Sequence, residues 1–570
     1  MKMKNKILCV ILTAALAATL FGCGVYEGSD TAPEPIGAEA IGEEPGVSGA
    51  VSESLASETP NGGEKIFRYS ELQEPTTLDP NKAKCILDNE VAHMTQECLV
   101  RNTAGKIEPG IAESWEISDD GLVYTFHLRD AKWSDGESIK AEDFVYGLQR
   151  LMDPATASEY AFIGEYVKNG AAVESGEKAP EELGIKAPDD KTVEITLDVA
   201  TPYFLSLMGS SAQYSPIRKD IVEKYGNDFA ATAEKNVYSG PFMITRTADG
   251  QIIFAKNPNY WNAGAIKLDG AELNCIAEGN TAVAMYESGE LDFVKLPTET
   301  VVNYDDIDHE YMNGNEDYFY INEKSDNKIL NNKNFRMALN YGLDRNTYIK
   351  LATDGVYSPC NALVMPLVSG AEKTYGEEYT VSSYPLDGDM ARAQEFLKKA
   401  MEEEGFSDPS DIRVEITTTD AEASKKIAEV AQELWTQALG ITITIRQVTY
   451  ADIYGSVLPN GDYEIGYAGW GPDYSDPYTY LELFKSDSPY NYSNYENAEV
   501  DKCLNASRTE TDAKKRMDLL NKAEQVILDD AALVPLQYRQ QHYLLNDAFS
   551  GLNFYFCSIN TDWTYADKAL

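Results

Sequence analysis

Apolar and polar residues alternate in two stretches of the first third of the chain. GLVYTFHLR puts Tyr124, Phe126 and Leu128 on one side, and KTVEITLDV does the same with Val193, Ile195 and Leu197. Side chains of a strand point alternately to its two faces, so each stretch predicts a strand with one buried face. SDDG before the first is a turn signal between strands. IFRYS, close after Lys65, reads as an earlier strand. A helical period appears later. In NFRMALNYGL the apolar residues Phe335, Ala338, Leu339 and Leu343 share one face. DAEASKKIAEVAQELWTQALG predicts a longer amphipathic helix stopped by Gly440, with ITITIRQV as the strand after it. A last helix, AKKRMDLLNKAEQVILDD, precedes the extended run ALVPLQYR. Helices and strands mixed throughout predict an α/β protein, and 570 residues are enough for more than one domain.

The N-terminus follows neither period. MKMKNK supplies three lysines, ILCVILTAALAATLF is an apolar run of fifteen residues, and Gly22 and Cys23 follow. The run is short for a permanent span, and its flanks are those of a secretory signal. A small residue and then a cysteine behind such a run resemble a bacterial lipoprotein processing site, with Phe21 bulkier than the usual residue there. That resemblance implies cleavage after residue 22 and a diacylglyceryl group on Cys23. Residues 24–63 carry eight acids, no lysine or arginine and almost no aromatics. Such a segment buries too little apolar surface to offset its ordering entropy, so it reads as a disordered tether. Its ends would lie roughly 35 Å apart.

Charge and motifs narrow the function. A net charge of −45 disfavours nucleic acid and anionic membrane surfaces as partners, since both present phosphates. The four histidines (His93, His127, His309 and His542) are scattered, with no HExxH, no GxSxG elbow and no P-loop. His127 falls inside an alternating strand and reads as a sheet-face residue. No cofactor, no metal and no catalysis are expected. Cys85, Cys98, Cys275, Cys360, Cys503 and Cys557 show no CxxC spacing, and either disulfides or buried thiols fit them.

One stretch combines chemistry with aromatic walls. GWGPDYSDP, residues 469–477, sets Asp473 among glycines, prolines and rings, and Tyr463, Tyr467, Trp470, Tyr474, Tyr478 and Tyr480 crowd around it. Its residues suit a turn, in which Asp473 caps backbone. They equally suit a small-ligand cleft, where rings exclude water and a carboxylate meets a cation.

Six blocks, in order, carry a family resemblance. EPTTLDP (74–80), PGIAESWEISDDGLVYTFHLRDAKWSDG (109–136), DFVYGLQRLMDPATASEYA (143–161), YSGPFMITRTADGQIIFAKNPNYWNA (238–263), FRMALNYGLDR (335–345) and GWGPDYSDP resemble the extracytoplasmic solute-binding proteins of peptide ABC importers. The resemblance spans roughly residues 65–570. It implies an α/β, two-lobed periplasmic-binding-protein-like fold with a hinge and an extra subdomain on the first lobe. The first lobe would be 64–98, 221–325 and 536–570, the subdomain 99–220, and the second lobe 326–535. Behind the signal 1–22, residues 23–63 would be the lipidated tether. The ligand would lie in the interlobe cleft, with Asp473 taking a peptide's α-amino group and the peptide groups of Gly469 and Gly471 bonding its main chain. Trp470 would wall a pocket, although it could instead belong to the core. Tyr160 would line the opposite lobe, and Asn491 is a further contact. Tyr467 stands where some oligopeptide binders have an arginine for the ligand carboxylate, so the residue receiving that group is open. The implied protein is a monomeric, lipid-anchored receptor on the outer face of the cell membrane that passes short peptides to an ABC transporter permease. Same-fold binding of an oligosaccharide or a nickel chelate, and a dedicated peptide-pheromone receptor, are the alternatives.

Overall fold

The computed structural model describes residues 64–103, 106–304, 309–381 and 384–569. The signal run, Cys23 and the acidic tether lie outside them. Among the described residues no helix is long and apolar enough to cross a membrane.

The alternating stretches fold as their period requires. Tyr124, Phe126 and Leu128 of the strand Val123–Leu128 are buried, and so are Val193 and Ile195 of Thr192–Thr196. Those two strands pair antiparallel at the centre of a four-stranded sheet, flanked by Ala112–Ile117 and Ile185–Asp189. Leu148, Leu151 and Met152 of the helix Ala141–Met152 join the same apolar core. His127 sits on the outer face, 3.9 Å from Glu116.

The helical periods hold as well. Asn332 caps Lys333–Tyr341 by accepting the Asn334 and Phe335 N–H groups, and Phe335, Ala338 and Leu339 point inward. Leu343 is buried just past the helix end. Glu422–Leu439 stops at Gly440, whose φ of +73° is the left-handed conformation glycine adopts freely. Trp435 of that helix is fully buried, and its indole N–H donates to the Leu339 carbonyl at 2.8 Å. The helix connects the parallel strands Arg413–Thr419 and Thr442–Val448.

A single hydrogen-bonded sheet carries the chain through both lobes. At one end lie Thr442–Val448, Arg413–Thr419 and Ile465–Trp470; at the other lie Phe293–Lys295, Ile66–Glu71, Gly270–Cys275, Gln251–Lys256 and Phe242–Ala248. Two 13-residue strands, His309–Ile321 and Leu533–Leu545, join the halves and pair antiparallel with each other. These are the crossing segments expected of a hinge. Their register slips between Met312 and Glu316, so the ladder breaks where the lobes meet. Gly314 occupies the break with φ of +83°. A side chain there would run into the Phe556 carbonyl and close on Pro472 of the 469–477 loop.

Gly314→Ala is expected to cost at least about 2 kcal/mol of stability, from left-handed strain alone, before the clash is counted. Chemical denaturation reads this directly, and an unchanged midpoint would sink the hinge-packing account.

Candidate functional site

The 469–477 loop begins where the strand Ile465–Trp470 pairs with the first hinge strand, Gly469 opposite Asp317 and Trp470 opposite Glu316. Asp317 is fully buried and held by both hinge strands' chemistry: Arg539 donates two hydrogen bonds of 2.8 Å, and Gln537 donates one of 2.7 Å. Its carboxylate fills the space where a Cβ of residue 469 would stand, and the Asn315 amide does the same at residue 471. The two glycines therefore answer to close approach by the hinge strand.

Beyond Gly471 the loop is pinned residue by residue. Asp476 accepts the Tyr478 N–H at 2.9 Å and pairs with Arg516 through contacts of 2.6 and 2.9 Å, both side chains being buried. The Ser475 N–H donates to Ser206 Oγ at 3.2 Å. The Tyr474 ring lies flat on Tyr203, with centroids 4.4 Å apart and planes within 4°. Ser558 Oγ donates to the Asp473 carbonyl at 2.9 Å.

Against this background the Asp473 carboxylate has no hydrogen-bond or ion-pair partner among the described residues. Asp476 makes the turn contact that the sequence allowed to Asp473. Half-buried, Asp473 is pushed up to about 6 by loss of solvent alone. It lines a cavity of about 630 Å³ together with Gly471, Tyr160, Glu71, Glu90 and Lys295, drawn from both sides of the hinge. Tyr160 is close enough that Asp473 adds to the burial that raises its hydroxyl to about 12.

Trp470 and Asn491 are placed differently. The Trp470 indole N–H reaches Thr479 Oγ1 at 3.4 Å and its ring meets Tyr490 at 5.4 Å, so the half-buried ring belongs partly to the core. Asn491 ties its own loop: its amide donates to the Tyr495 carbonyl at 2.7 Å and accepts the Tyr495 N–H at 3.1 Å. Neither lines the cavity. Tyr467 is buried, edge-on to Phe319.

The cavity contributes residues that the sequence did not single out. Lys295 Nζ lies 2.6 Å from Glu71 Oε1. Glu90 accepts the Asn560 and Thr561 N–H groups at 2.8 and 3.0 Å. Burial raises Glu90 to about 7, opposed by Lys295 and reinforced by Glu71. At one wall Lys295 is thus paired with Glu71 and within electrostatic reach of Glu90, while Asp473 stands unpaired at another. The only other lysine lining the cavity, Lys84, is paired with Glu159 at 2.6 Å. Among the described residues no group of three His, Cys, Asp or Glu is placed to hold a metal ion, and the six cysteines are free thiols.

A two-lobed α/β fold with an interlobe cavity and a hinge of two strands defines a solute-binding protein. Residues 106–492 match the model of the bacterial extracellular solute-binding proteins, family 5, and the chain belongs to that family. Its location is accordingly extracytoplasmic. The chain is 33% identical over 500 residues to the oligopeptide-binding protein OppA of Bacillus subtilis, covering 86% of this chain and 90% of that protein. Among solved structures, peptide-bound OppA of Listeria monocytogenes matches at a TM-score of 0.67 and 30% identity, covering 89% of this chain and 100% of that one. The pheromone receptor PrgZ matches at a TM-score of 0.67 and 26% identity, with 89% and 100% covered. The resemblance read from the six sequence blocks is borne out.

Arg516→Leu would leave Asp476 buried without its cation, and a loss of roughly 3–5 kcal/mol in urea unfolding is expected. Adding Asp476→Leu should recover much of it. A double variant as unstable as the single one would show that the ion pair is not what holds the loop.

Proposed function

We propose that the protein captures short peptides outside the cell, anchors their α-amino group on Asp473 in the interlobe cavity, and delivers them to an ABC transporter permease. It acts as a monomer tethered by lipid on Cys23, and no bond of the ligand is made or broken. One lobe comprises 64–98, 221–325 and 536–570, with 99–220 as its subdomain, and 326–535 forms the other. The observation that carries the reading is the unpaired, half-buried Asp473 carboxylate in a cavity bounded by both lobes. An ammonium there supplies the missing cation through a charge-assisted hydrogen bond worth about 1.5–3 kcal/mol. Every unblocked peptide has that ammonium. The names of the relatives, oligopeptide binders among them, support the same ligand class.

In this reading the peptide groups of Gly469 and Gly471 pair with the ligand main chain, as in strand addition, with Gly471 the one that lines the cavity. Tyr160 closes the opposite side of the amine subsite. Lys295, already paired with Glu71, is the cation that this cavity wall offers to the ligand carboxylate. A dedicated pheromone receptor is the second reading, favoured by the match to PrgZ. Native mass spectrometry of the protein as purified separates the two: a ladder of bound masses for a general receptor, one sharp mass for a dedicated one.

Asp473→Asn should weaken a free tripeptide tenfold or more in calorimetry, the equivalent of about 1.4 kcal/mol. N-acetylation of the peptide should cost the wild type as much and the variant little. Equal affinities throughout would remove Asp473 as the anchor.

The same carboxyl sets a pH dependence. Its value is raised to about 6, so the ionised form that pairs with ammonium dominates at pH 7 and is the minority at pH 5. Affinity should fall about tenfold over that interval. Asp473→Asn should flatten the fall, leaving only what Glu90 contributes; an identical slope in the variant would assign the titration elsewhere.

A further inference from the structure

A second cavity, of about 300 Å³, lies away from the residues of the first. Phe162, Tyr166 and Tyr203 wall it from the subdomain, and Tyr478, Glu482 and Arg508 wall it from the second lobe. Its rings form a connected set. Tyr203 stacks on Tyr478 at 5.6 Å and meets Tyr166 edge-on at 5.9 Å and 88°. Glu482 points a carboxylate into this ring of tyrosines and accepts only the Tyr474 hydroxyl, at 3.2 Å, among the described residues. Glu165 and Asp198 stand at the same cavity, so three acids face one arginine. Arg508 makes no ion pair with Glu482 among the described residues.

We propose that this cavity binds an organic cation, an alkylammonium or guanidinium group, between the faces of Tyr166 and Tyr478 with Glu482 as its counter-charge. Aromatic faces attract cations, by about 0.5–2 kcal/mol according to how dry the site is, and a carboxylate inside the cage adds a direct charge pair. The volume sits at the small end of ligand pockets, which suits one headgroup and not a whole peptide. Burial lifts the Glu482 carboxyl to about 8; the Tyr474 hydroxyl and Arg508 pull it down, while Asp473 and Asp476 push it up. Because the walls come from both lobes, a cation seated there is bound only when they are closed. Its binding must therefore favour closure, and closure its binding, by the same factor.

The cation has two possible sources: a basic side chain of the bound peptide, or a free amine. The first rests on the peptide reading above; the second does not. The test uses n-butylammonium, with n-butanol as the neutral control, in saturation-transfer NMR on the whole protein. Tri-alanine and its three single-lysine and single-norleucine variants are titrated by calorimetry in parallel. Glu482→Gln should weaken n-butylammonium fivefold or more at an unchanged thermal midpoint, and Tyr166→Leu should do the same. A lysine-over-norleucine preference lost in Glu482→Gln assigns the site to a peptide side chain. Tighter tri-alanine binding in n-butylammonium, lost in the variant, assigns it to a free amine. If tri-alanine fails to bind while n-butylammonium still does so through Glu482, the peptide reading falls and the cation site stands. The proposal is overturned if neither n-butylammonium nor the lysine exchange shows any effect that Glu482→Gln removes.

Discussion

A carboxylate withdrawn from water without a partner is the constraint on which this molecule turns. Asp473 is raised from 3.8 to about 6 by burial alone. At 1.36 kcal/mol per unit, its ionised form is disfavoured by about 3 kcal/mol relative to solvent. A protein keeps such a group only where neighbours are too well fixed to relax around it. Here they are fixed on every side. Asp476 is locked to Arg516, Tyr474 is stacked on Tyr203, and the Asp473 carbonyl is held by Ser558. The loop cannot turn its free carboxylate outward without breaking those contacts, so in the proposed function the deficit is met by the ligand's ammonium.

The same loop is built against the hinge. Gly469 backs onto Asp317, which Arg539 and Gln537 clamp from the opposite hinge strand, and Pro472 touches the turn at Gly314. The two strands exchange hydrogen bonds on either side of that turn but not through it. The ladder is therefore interrupted at Gly314, with a second register shift between Asp317 and Tyr318. Residue 473 is one residue from Pro472, which packs against that turn. In the proposed function, binding and lobe position are thus coupled through one packing contact, without need of a long relay.

How far the sequence reveals this depends on what each residue's period can express. Alternation at 123–128 and 192–196 reports one buried face, and the faces came out as read. The glycine stop at 440 reports a backbone angle, which is local and therefore legible. The GWGPDYSDP loop was legible as a site but not in its division of labour. Its two aspartates look alike in sequence, and only Arg516, forty residues on, makes Asp476 structural and leaves Asp473 free. Glu90 and Lys295 were invisible for a related reason. An acid in the helix Ile86–Thr95 looks like a solvent-facing residue until Asn560 and Thr561, from the far end of the chain, close over it. Asn491 shows the same limit from the other side: its polar, aromatic surroundings suggest a ligand, and in the structure Tyr495 four residues on uses both ends of its amide. Charges whose meaning depends on distant partners cannot be assigned from their own neighbourhood.

Asp473 and Tyr474 are neighbours in a run of bends that turns their side chains different ways. Asp473 looks into the ligand chamber, while Tyr474 looks away from it onto Tyr203 and reaches Glu482. One segment therefore meets, in the proposed function, the ligand with one side chain and Tyr203 with the next. In the proposed function this gives a peptide's amine, the feature common to all unblocked peptides, control over closure. The ligand carboxylate is left to the Glu71–Lys295–Glu90 cluster and the side chains of the ligand to the remaining walls. Selectivity among peptides then has to come from charge distribution in the chamber rather than from the anchor, because the anchor responds to a group that every candidate ligand shares.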